Sequence, residues 1–81
     1  MNRQDFEIKA IVAGLSQKDI LDFTSAFRAI SGNSIESPIV DKEYLQKEGP
    51  GIAIAVRAIL DKSSSKESIA KMIDFFESLY N

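Results

Sequence analysis

Apolar side chains recur along this chain mostly at intervals of three and four residues, the spacing of helices that bury one face. From Gln4 to Gly14, Ile8, Ile11, Val12 and Leu15 fall at i, i+3, i+4 and i+7 and predict a first helix with that face inward. Phe6, Ala10 and Ala13 form a second apolar strip beside it. Asn2 can cap this helix, Asp5 and Lys9 stand four apart in the favourable order, and Gly14 ends the run. A second helix opens at Ser16, with Asp19 as its capping-box partner, and carries Ile20, Phe23, Phe27 and Ile30 as a heptad-like seam. Gly32-Asn33 supplies a left-handed stop. The short break between the two helices implies a tight corner or an antiparallel hairpin.

The pattern weakens from Ser34 to Pro50. Either Pro38 takes the first position of a third helix or Asp41 caps a shorter one, with Tyr44 and Leu45 inward and Glu43 paired to Lys47. Gly49-Pro50-Gly51 reads as a breaker before the next segment. That segment, Ile52 to Leu60, is apolar on nearly every side, which as a helix places it in the middle of a bundle. A strand is the rival reading, since Ile52, Ile54 and Val56 alternate with alanines. Its one candidate partner, Ile35 to Val40, contains Pro38, and alanine favours helix. The last helix follows Ser63-Ser64-Ser65, with Ser64 and Glu67 spaced as a capping box and Glu67 four before Lys71. Ile69, Met72, Ile73, Phe76 and Tyr80 form its buried stripe, widened by Phe75 and Leu79. No repeat is visible, so a solenoid is excluded. The expected fold is all-α: one domain over residues 1–81, a compact bundle of four to five short helices around a central apolar helix.

Composition agrees with a folded chain. The 81 residues leave room for one core, 44% are hydrophobic, and the 27% charged residues match a globular average of about a quarter. There is no cysteine and hence no disulfide framework. The polar stretch Met1 to Glu7 does not read as a signal peptide. The run Gly51 to Leu60 is interrupted by Arg57 and falls short of the roughly 20 residues of a membrane span, so a cytoplasmic location is expected. A net charge of −2 with scattered basic residues offers no patch for phosphates, so nucleic acid is not an expected partner.

Histidine is absent as well as cysteine, which excludes the usual zinc sites, thiol nucleophiles and serine–histidine triads. Asp19 with Asp22, and Asp74 with Glu77, are paired carboxylates, but each pair reads as a solvated helix face rather than an acid/base or hard-metal site. Glu48 to Ile52 lacks the lysine and Ser/Thr of a phosphate loop, and Pro50 removes a donor. The start of the last helix, Ser65 to Met72, is followed by too little chain for a helix-turn-helix. An enzyme would need a carboxylate to converge with a lysine or tyrosine in a pocket; no catalytic residue, metal ligand or cofactor is expected.

What remains is apolar excess. Met72, Phe75, Leu79 and Tyr80 make a stripe wider than one neighbour covers, Leu21 stands among polar residues, and Arg57 is a charge in the most apolar segment, with Asp61 as its local candidate partner. These six residues are the expected partner-binding set. The expected function is a small non-enzymatic protein–protein interaction module (a regulator, inhibitor or immunity-type protein) that contacts another protein or a second copy of itself through an apolar helix face. A helical module binding a lipid or small molecule is the alternative.

Overall fold

The computed structural model describes residues 1–81 as four helices without a strand: α1 (Arg3–Val12), α2 (Gln17–Ser31), α3 (Lys42–Leu60) and α4 (Lys66–Ser78). α3 packs against both α2 and α4, and α1 lies against α2. The radius of gyration, 11.3 Å, is close to the roughly 11.7 Å of a folded chain this long.

Each helix starts on a side chain that satisfies an otherwise orphaned N–H. Asn2 accepts from the Asp5 amide, Asp41 from Tyr44 and Ser65 from Ser68. Ser16 and Asp19 close a reciprocal capping box at α2, as the sequence predicts. The last helix departs from expectation: Ser65, not Ser64, is the cap, and no reciprocal bond from Glu67 forms. α1 ends in a Schellman motif, in which the Leu15 amide donates to Ala10 O and the Gly14 amide to Ile11 O, with Gly14 at φ 92°. That turn drives Leu15 into the core beside Ala10. Gly32, at φ 74°, stops α2.

One cluster of twenty buried side chains forms the core. Its centre is aromatic: Phe76 lies 5.3 Å from Phe23, 5.9 Å from Phe27 and 5.4 Å from Tyr80 between ring centroids. Ile20, Phe23 and Phe27 of the predicted seam are buried, whereas Ile30 emerges at the last turn of α2.

Two expectations are corrected. First, α1 turns its other side inward. Phe6 and Ala10 are fully buried, with the Phe6 ring 5.4 Å from Phe75 and 6.2 Å from Phe23, while Ile8, Ile11 and Val12 face out. A phenyl ring carries more apolar area than an isoleucine and gains from edge-to-face contact, and the small Ala10 one turn later lets α1 approach. Second, Gly49-Pro50-Gly51 does not break the chain; it lies inside α3, which runs from Lys42 to Leu60. The triplet disfavours helix by about 5 kcal/mol relative to alanines. Burial of Leu45 on one side, and of Ile52, Ala53, Val56 and Leu60 on the other, outweighs that propensity. The stretch from Ile52 is therefore helical, but it buries a stripe rather than its whole circumference: Ile54 is 74% exposed. Because α3 begins at its Asp41 cap, Pro38 stays in the connection.

The α2–α3 connection is two successive turns, in which the Ser37 amide donates to Ser34 O and the Val40 amide to Ser37 O. Ile35 and Val40 are buried at its two ends, and Glu36, Pro38 and Ile39 stay outside.

Candidate functional site

The side of α1 opposite Phe6 and Ala10 carries Ile8, Ile11 and Val12, neighbours at i, i+3 and i+4 on one helical face. All three are more than half exposed, Val12 at 82%. A groove runs along each flank of this strip. One, of about 340 Å³, lies between α1 and α2, with Ile11, Ile20 and Leu21 as its apolar lining and Arg3, Glu7 and Lys18 on its walls. The other, of about 390 Å³, lies between α1 and α4, where Ile8, Val12 and Ala13 meet Phe75 and Leu79, with Lys9 the only charge. Leu21 is 62% exposed and extends the apolar surface from α1 onto α2.

Ion pairs fix the walls of the first groove. Arg3 Nε donates to Glu7 Oε1 at 2.8 Å, and its Nη1 stands 3.6 Å from Glu36 Oε2, tying α1 to the α2–α3 connection. The hydrogen bond to Glu7 raises the Arg3 guanidinium above its ordinary value, so it stays charged throughout. Lys18 Nζ lies 2.7 Å from Asp22 Oδ2, and that bond likewise raises the ammonium. These pairs are solvent-exposed and add little to stability.

The residues expected to bind a partner are distributed differently. Met72, Phe75 and Tyr80 are core residues, at 0%, 4% and 7% exposure, because α1, α2 and α3 between them cover the wide stripe of α4. They have almost no surface to offer a partner. Leu79 is half-buried and lines the α1–α4 groove, and Leu21 is exposed as expected. Arg57 is exposed and makes no ion pair with Asp61, though both line one surface pocket with Lys66 and Ile69. The structure thus brings Leu21 and Leu79 to the two flanks of α1 and leaves Arg57 apart. It adds Ile8, Ile11 and Val12, whose helical spacing is plain in the sequence but which that spacing alone assigns to the core.

The polar candidates have local roles. Asp19 Oδ2 accepts from the Ser16 amide, and Asp22 pairs with Lys18. The glycines around Pro50 are inside α3, so they form no phosphate loop. No three carboxylates converge as a metal-binding group, and no helix is long and apolar enough to cross a membrane. The expected pairs Asp5–Lys9 and Glu43–Lys47 do not form, whereas Lys71 and Glu67 meet at 3.7 Å.

Comparison with known proteins gave no match to a family model, to a curated protein or to a solved structure.

Proposed function

We propose that this chain is a non-enzymatic interaction module, a regulator or inhibitor of another cytoplasmic protein, and that it docks through the outer face of α1. One observation carries the reading: a three-residue apolar strip at helical spacing is turned outward between two grooves. Single exposed apolar residues are ordinary, but a contiguous set flanked by grooves marks a contact surface. The occupant that fits is an amphipathic helix of the partner, whose anchors at i, i+3 and i+4 would fill the grooves while its backbone lies along α1. Binding would derive from apolar burial there, with Arg3, Glu7, Lys9 and Lys18 at the rim setting encounter rate and orientation.

The test is the double substitution Ile8→Ser, Val12→Ser. Both side chains are exposed, so each change should alter stability by less than about 0.5 kcal/mol, and circular dichroism should match the parent. A partner captured from the native host and then purified should bind the parent in calorimetry and lose at least about tenfold in affinity to the variant, since anchor truncations cost upwards of 1.4 kcal/mol. Equal binding by parent and variant would remove α1 as the site. Solution mass measurement distinguishes a second copy as occupant, and thermal stabilisation by lipid or detergent alone would favour the lipid-binding alternative.

A further inference from the structure

The weakest point of α3 and the end of the chain meet. Pro50 has no N–H, so the Gln46 carbonyl lacks its helical donor, and the flanking Gly49 and Gly51 are the residues least suited to holding a helix. At this point Tyr80 lies against α3. A Cβ on Gly49 would stand 2.8 Å from one atom of the Tyr80 ring, so only glycine admits the ring this close. Gln46 Nε2 also donates to Tyr80 O at 3.4 Å, across 34 residues of sequence. Tyr80 is itself held in place by the turn that follows α4, where its amide donates to Glu77 O, and by its ring contact with Phe76.

The two sides of the triplet are anchored unequally. Beyond it, α3 buries Ile52, Ala53, Val56 and Leu60. Before it, Leu45 is the one fully buried side chain, with Tyr44 packed at the edge of the core. We propose that Lys42–Gly49 is a flap that unfolds locally as far as Pro50 and is held shut by Tyr80 as a latch. The device goes beyond docking at α1: it gives the molecule a second state, in which the Leu45 side of the core opens while α2, α4 and the rest of α3 stay folded. Segments with few buried contacts and a missing backbone bond open locally before the whole molecule does.

Amide hydrogen exchange resolved by residue tests this on the full chain. In the parent, Gln46 to Gly49 should exchange at least about tenfold faster than Ala53 to Ala58, by an opening insensitive to low denaturant. Tyr80→Ala should accelerate the first set by at least about a further tenfold, and the second set with it wherever that set exchanges by larger openings that also lose the Tyr80 contacts. Pro50→Ala restores the missing donor at an exposed position and should slow the first set by at least about tenfold. Exchange of both sets at one rate in the parent, or a first set that Tyr80→Ala leaves unaccelerated, overturns the proposal. Should Tyr80→Ala fail to fold, Pro50→Ala decides: an unslowed first set overturns the flap, and a slowed one supports it.

Discussion

Phe75 shows how far a single residue's role depends on its neighbours. On α4 it widens the apolar stripe and invites assignment to a binding face, yet the Phe6 ring covers it edge-on at 5.4 Å. Phe75→Asp would place a carboxylate against that ring at a position only 4% exposed, and burying a charge there costs more than a small domain can spare. We expect the variant to lose its helical circular dichroism at room temperature; a folded Phe75→Asp protein would contradict the burial. At this scale the sequence was informative where one strip had no rival: Phe23, Phe27 and Phe76 fall on clean seams and are fully buried. It misled on α1, because Ile8-Ile11-Val12 and Phe6-Ala10 both have helical spacing. Periodicity locates a strip without saying which of two faces inward. The choice rests on ring size and on partners from α2 and α4, which spacing along α1 does not contain.

Among the elements, α3 shows local preference yielding to packing. Asp41 and the apolar run after Gly51 were both legible as helix features, but Gly49-Pro50-Gly51 is ordinarily a stop, and reading it as one splits the helix in two. What the local sequence hides is that Gly49 is needed for Tyr80, 31 positions further on. This yields a sign test. Alanine is a better helix former than glycine by about 1 kcal/mol, so at an open position Gly49→Ala would stabilise. Here the methyl must displace the Tyr80 ring, and overpacking costs about 1–3 kcal/mol. The single variant should be neutral to destabilised, whereas in a Tyr80→Ala background the same change should stabilise by about 1 kcal/mol. Urea unfolding of the four proteins of this cycle measures the reversal; stabilisation by Gly49→Ala in both backgrounds would refute the close packing.

For the whole molecule, no buried residue is polar or charged, so few groups couple folding to pH. Tyr80 is one. Burial raises its phenol above the ordinary value, and the nearby Glu77 carboxylate adds to the shift. The unfolded chain releases this proton near about pH 10 and the folded chain only above that. The stability contributed is therefore complete below about pH 10 and is lost as pH rises through the folded value. The urea midpoint should fall between about pH 9 and about pH 11 by more in the parent than in Tyr80→Phe; equal falls would show the phenol to be uncoupled from folding. The all-helical class and the helices α1, α2 and α4 were legible from periodicity and caps, whereas the unbroken α3 and the outward strip of α1 follow only from packing between helices. The doubly pinned connection after α2 has an engineering consequence. Since Ile35 and Val40 fasten it at both ends and Pro38 and Ile39 at its tip are exposed, the tip should accept a longer loop or a grafted foreign epitope at little more than the modest entropy of the added length.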